Sequence, residues 1–75
     1  MTITIGWDQT FQHYSVEMYV NGLPKVQLYA RQPLQIIQLI NMMKDVHPIY
    51  IGWHNTIDLQ RKELIKRLIQ QYITI

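Results

Sequence analysis

The sequence contains no cysteine, which excludes a disulfide framework, a Cys-ligated zinc site, an iron–sulfur cluster and a thiol nucleophile. Charge is scarce as well. Only 16% of the residues are Asp, Glu, Lys or Arg, against an apolar share of 48%, a balance that excludes a disordered chain. No apolar run approaches the roughly 18 residues that a membrane-spanning helix needs. The opening Met1-Thr2-Ile3-Thr4-Ile5 has neither the basic start nor the long apolar core of a secretory signal. The glycines, Gly6, Gly22 and Gly52, stand alone, so no glycine-rich loop is present to cradle a phosphate. The acidic residues Asp8, Glu17, Asp45, Asp58 and Glu63 fall in five different elements and form no visible acid–base dyad.

What is present is aliphatic bulk: 12 isoleucines and 7 leucines in 75 residues. A chain of this length supports one domain, residues 1–75. Such a domain buries only about 60–65% of its unfolded surface, so a dense core or burial against another chain is expected. The expected setting is intracellular and cytoplasmic.

Met1 to Ile5 alternates with period two, as a short strand does, and Gly6 to Thr10 reads as its break. Phe11 to Val20 is a strand with Tyr14, Val16, Met18 and Val20 on one face and His13, Ser15, Glu17 and Tyr19 on the other. Asn21-Gly22 signals a hairpin to a strand from Leu23 to about Arg31. Parity favours a three-residue loop, Val20-Asn21-Gly22, with Gly22 in the left-handed position. It pairs Val16 with Val26, Tyr14 with Leu28, Glu17 with Lys25 and His13 with Tyr29, whereas a two-residue loop mixes apolar with polar on both faces. Pro24 lacks an N–H and points to an edge strand.

Pro33 suits the first position of a helix whose apolar face is Leu34, Ile36, Ile37, Leu39, Ile40 and Met43, ending by Val46-His47 before Pro48. Pro48 to His54 reads as a further strand, with Ile49, Ile51 and Trp53 on one face. Asn55 is read as the N-cap of a last helix from Thr56 or Ile57 to about Tyr72. Its apolar line is Ile57, Leu64, Leu68 and Tyr72, flanked by Ile65 and Ile69, and Glu63 pairs with Arg67. The expected fold is α+β: a small antiparallel sheet, a hairpin plus one or two further strands, with two helices packed on one face in the order (β)ββαβα.

The chemistry-bearing residues are sparse. His13, His47 and His54 have no partner at metal-ligand spacing. A pairing of His13 with His54 beside Tyr29 or Tyr50 would give an acid–base couple, and Ser15 with His13 and Glu17 a nucleophile row, but neither has a pocket in view. No catalytic residue, metal or cofactor is therefore assigned. Two surfaces stand out instead. The outer sheet face presents His13, Tyr19, Tyr29, Arg31, Tyr50 and His54, residue types that serve protein interfaces and stack on bases, and that also simply suit strands. The last helix carries Lys62, Lys66 and Arg67, spread around it, with Arg61 near its apolar stripe. Ile69, Ile73 and Ile75 extend that stripe toward a partner, a second copy, or the chain's own core.

These features lead to the expectation of a non-enzymatic protein-interaction module. It would be a regulator or inhibitor that binds and occludes a macromolecular partner, of the kind phages and mobile elements encode, and a homodimer through its last helix. The alternative is a nucleic-acid binder using Lys62, Lys66 and Arg67 with the Tyr/Arg sheet face.

Overall fold

The computed structural model describes residues 1–73, with Pro24 and Lys25 described by their backbone alone. The elements are β1 (Thr2–Asp8), β2 (His13–Val20), β3 (Leu23–Ala30), α1 (Pro33–Met43), β4 (Tyr50–Trp53) and α2 (Leu59–Tyr72). The strands form one sheet in the order β3-β2-β1-β4. The hairpin pairs are antiparallel, while β1 and β4 run parallel. The α+β class and the element order agree with the sequence pattern, and the parallel pair makes the sheet mixed. Parallel neighbours need a long crossover, and α1 supplies it between the two edge strands β3 and β4. Among the described residues, no helix is long and apolar enough to cross a membrane.

The first strand does not stop at Gly6. It continues through Trp7 and Asp8, pairs along its whole length with β2, and with β2 is one of the two inner strands of the sheet. Phe11 lies in the turn before β2. That turn is built by Asp8, whose Oδ1 accepts the N–H of Thr10 at 2.9 Å and of Phe11 at 3.2 Å. Gln12 closes it in the left-handed region, at φ 52°.

The second hairpin corrects the expected register. Val20 pairs with Leu23, so the loop is the two-residue Asn21-Gly22. Both residues have positive φ, 55° and 79°, as a type I′ turn requires. A bulge then intervenes, because Tyr19 pairs with Pro24 but Met18 with Val26. The extra residue restores parity: Val16 faces Leu28 and Tyr14 faces Ala30, apolar on apolar, with Glu17 opposite Gln27 and Ser15 opposite Tyr29. The apolar alternation was the correct constraint. It is satisfied by a tight turn plus a bulge rather than by a longer loop. Pro24 does lie on an edge strand.

The core lies on one face of the sheet, where Ile3, Ile5, Tyr14, Val16, Met18 and Ala30 meet Ile36, Ile37 and Ile40 of α1 and Ile65 of α2. Leu34, expected on the α1 core face, is exposed. The α2 line is rotated from expectation too. Leu64 and Tyr72 are exposed, while Ile65 is buried and Leu68 and Ile69 pack against the core. Ile73 is 6% exposed, folded into the chain's own core, which removes it as a partner or dimer contact; Ile75 lies outside the described residues. Ile69 packs on that same core. Among the described residues, the large apolar side chains left exposed are leucines, valines, methionine and aromatics, Leu23, Met42 and Val46 among them, rather than isoleucines.

The cap of α2 is Asp58, not Asn55. Its Oδ2 accepts the Arg61 backbone N–H at 3.1 Å, and its Oδ1 takes the Arg61 guanidinium at 2.7 Å. Glu63 pairs with Lys66 at 3.8 Å rather than with Arg67. The Arg61 side-chain hydrogen bond, then its backbone N–H, holds the Asp58 carboxyl below its ordinary pKa of 3.8. A lowered folded-state pKa gives a contribution that is present above the unfolded value and lost as pH falls through the folded one. Asp58→Asn keeps the cap but not the charge. At pH 7 it is expected to melt between wild type and Asp58→Ala, and the gap to wild type should close in acid below the lowered pKa. Thermal melts across pH check this, and a pH-independent gap would contradict it.

Candidate functional site: the uncovered sheet face

The face of the sheet opposite the helices carries every second residue of each strand. Reading across β4, β1, β2 and β3, one row is Gly52, Thr4, Glu17 and Gln27, and the next outward row holds Gly6, Ser15 and Tyr29. Small side chains therefore floor the middle of this face. A concavity of about 510 Å³ opens above it, walled by Asp8, Glu17, Gln27, Tyr29, His54 and Thr56.

The turn after β4 closes one end. The His54 backbone N–H donates to Ile5 O at 2.8 Å, extending the parallel pairing by one residue. The Trp7 N–H donates to Thr56 Oγ1 at 3.1 Å, and the Thr56 N–H donates to His54 Nδ1 at 3.2 Å. Since Nδ1 is an acceptor, the neutral imidazole carries its proton on Nε2. This turn sits directly on Gly6. A Cβ there would stand 2.7 Å from Ser15 Oγ, 2.8 Å from Thr56 Oγ1 and 3.1 Å from His54 Cβ.

His13 is held separately from His54. Its ring packs between Phe11, with centroids 5.8 Å apart, and Tyr29, 4.5 Å away. Its Nε2 is buried without a hydrogen-bond partner among the described residues, 3.6 Å from Asp8 Oδ2. The two histidines thus share an end of the face but have different partners, and Tyr50 lies at the opposite end, in the row of Thr2 and Tyr19. The acid–base couple is not assembled. Nor is the Ser15, His13 and Glu17 row, because the His13 ring turns to aromatics and Glu17 accepts the Tyr19 hydroxyl. That hydrogen bond, more than burial or the carboxylate charge, raises the Tyr19 phenol above its ordinary pKa. Among the described residues, no three of His, Asp and Glu are placed to share a metal ion.

The exposed residues at the two ends are Tyr29, 58% accessible, and Tyr50, 67%. Arg31 follows β3 at the His13 end, exposed, with its backbone N–H donating to Gln35 Oε1 at 2.9 Å. The residues read from the sequence as one face therefore form two clusters around a polar floor. The floor itself was missed. Its signal was the run of small residues at outward positions, Thr4, Gly6, Ser15 and Gly52, visible only once β1 is known to continue and β4 to lie beside it.

The cations of α2 do not form a stripe. Arg61 lies over the Trp7 ring at 3.7 Å and Lys62 over Trp53 at 5.8 Å. Lys66 pairs with Glu63, and Arg67 lines a cleft beside Tyr14 on the helix-covered side. No protein-family model matches this chain, and neither a curated protein nor a solved structure matches it.

Proposed function

We propose that this chain is a non-enzymatic protein-interaction module that binds a protein partner on its outer sheet face and acts as a regulator or inhibitor by covering the partner's site. The observation that carries this reading is the uncovered face itself: Tyr29 and Tyr50 stand exposed on either side of a floor of Thr4, Gly6, Ser15 and Gly52. Exposed tyrosines on a rigid strand lose little entropy on contact and are frequent anchors of interface energy. The floor leaves room between them for a partner's side chains. Asp8 and Glu17 line the same concavity, which favours a protein segment carrying a basic side chain over a phosphate backbone. A nucleic-acid binder would want several cations here; Arg31 stands at the His13 end, but carboxylates line the concavity and the cations of α2 are engaged elsewhere.

A photo-crosslinking residue placed at Tyr29 or at Tyr50 is expected to couple to one and the same cellular protein, while one at exposed Leu59 on α2 does not. With that protein purified, the Tyr29→Ala/Tyr50→Ala double variant is expected to bind at least about 10-fold more weakly, the loss typical of removing interface anchors. An unchanged affinity would refute the sheet-face reading. Salt-sensitive RNA binding lost on replacing Lys62, Lys66 and Arg67 would put the nucleic-acid reading in its place.

A further inference from the structure

A second cleft, of about 450 Å³, opens between β2 and α2 and is lined by Tyr14, Gln60, Arg61, Leu64 and Arg67. It is independent of the outer face, because Tyr14 belongs to the opposite side of β2. Every polar group of its lining can donate a hydrogen bond: two guanidinium groups, which only donate, and a carboxamide and a phenol, which also accept. Among the described residues, no carboxylate lines it.

Two of these donors are held in place before any ligand arrives. The Arg61 guanidinium lies over the Trp7 ring, its Cζ 3.7 Å from the centroid, and bonds Asp58 at 2.7 Å. Trp7 in turn meets Tyr14 edge-on, with centroids 5.0 Å apart. Tyr14 is only 4% exposed, so its ring cannot swing away. Burial raises its phenol above the ordinary pKa, with Arg61 acting against that through its charge and a hydrogen bond, and Asp58 acting with it. The hydroxyl therefore keeps its proton at neutral pH. Arg61 is largely neutralised by Asp58, but Arg67 has no ion-pair partner among the described residues. Leu64, exposed, gives the cleft one apolar wall.

We propose that this cleft binds a phosphomonoester, with the phosphate between Arg61 and Arg67 and the organic body against Leu64. A carboxylate offers two oxygens and one charge. A phosphomonoester offers three oxygens and up to two charges, which suits a cleft lined by two guanidinium groups, a carboxamide and a phenol. The volume exceeds what inorganic phosphate alone would fill and falls within the range of small-molecule sites.

Phenyl phosphate, inorganic phosphate, benzoate and a single-stranded oligonucleotide without terminal phosphates serve as probes, titrated into the whole chain by calorimetry at physiological salt. Phenyl phosphate is expected to bind saturably with Kd below about 1 mM, and more tightly than inorganic phosphate or benzoate. Arg67→Ala, at an exposed position whose loss leaves the core intact, is expected to weaken it at least about 10-fold, the scale of losing a charge-assisted hydrogen bond. Tyr14→Phe keeps the ring and should weaken it by less. Absence of phenyl phosphate binding, equal binding of benzoate, or binding indifferent to Arg67→Ala would each overturn the proposal. Oligonucleotide binding that depends on Arg67 without phenyl phosphate binding would overturn it in favour of a backbone diester. None of these outcomes bears on Tyr29 or Tyr50, so this cleft and the outer face are tested separately.

Discussion

Replacing Ile5 with alanine is expected to cost about 2–5 kcal/mol of stability, the range for removing a fully buried branched side chain where the surroundings relax only in part. Ile5 is 0% exposed. It sits on an inner strand, across from Val16 on β2 and Trp53 on β4, so no edge is free to move in and fill the space. A chain of 75 residues has a total stability of only about 4–11 kcal/mol at typical values per residue. Ile5→Ala should therefore bring it near the unfolding threshold. Urea denaturation checks this, through a large fall in midpoint with little change in slope. Leu59→Ala, at a position 71% exposed, is the control and should stay within about 0.5 kcal/mol of wild type. Equal midpoint shifts for the two variants would mean that Ile5 is not where the core is closed.

Gly6→Ala is expected to be the most damaging change of a single methyl group, at about 1–3 kcal/mol, the usual cost of overpacking. The added Cβ meets three groups, and their freedom to move decides the sign. Ser15 Oγ can rotate away. Thr56 Oγ1 cannot do so without giving up the Trp7 N–H and its 3.0 Å contact with His54 Nδ1. The His54 Cβ, 3.1 Å from the new atom, is carried on backbone tied to Ile5 O. The clash is relieved only by lifting the His54–Thr56 turn off the sheet. Thermal melts should show the loss of stability. Amide exchange should show faster exchange at Trp7 and His54, with the β2–β3 hairpin unaffected. Unaltered protection at those two amides would mean that the turn does not rest on Gly6.

The Gly6 position also explains what could and could not be read from the sequence. A glycine after an alternating run is a fair sign that a strand has ended, since glycine weakens a strand interior. Here it marks a close approach by a segment nearly fifty residues further along, and nothing local to Gly6 announces that segment. The Asn21-Gly22 hairpin is the opposite case. The turn pair and the apolar alternation were both legible, and each was right. They conflicted by one residue; a three-residue loop resolves that conflict on paper, whereas the chain resolves it with a bulge between Met18 and Tyr19.

The last helix divides in the same way. Its extent to Tyr72 follows from helical spacing, and the cap followed from the presence of a short acidic or amide side chain, though Asp58 rather than Asn55 supplies it. Which apolar line faces inward did not follow. The Leu64–Leu68 line and the Ile65–Ile69 line lie side by side on the helix, and periodicity cannot choose between neighbours. The choice is made by the tryptophans of β1 and β4. The Arg61 and Lys62 side chains lie over Trp7 and Trp53, which turns Ile65 into the core and leaves Leu64 at the mouth of the cleft. The outer-face residues were legible as a set because strand parity is local, but their division into two clusters depends on β4 lying parallel beside β1.

The amino-acid sequence by itself determined the element order, the apolar and polar faces of the strands, and the absence of any cysteine-based site. These depend on periodicity, turn chemistry and composition, all of which act over a few residues. The tertiary structure alone decided that β1 is an inner strand, that Ile73 returns to its own core, and that Tyr14, Arg61 and Arg67 share a cleft. Each of those depends on contacts between segments far apart in the chain, where burial against a specific neighbour outweighs local preference.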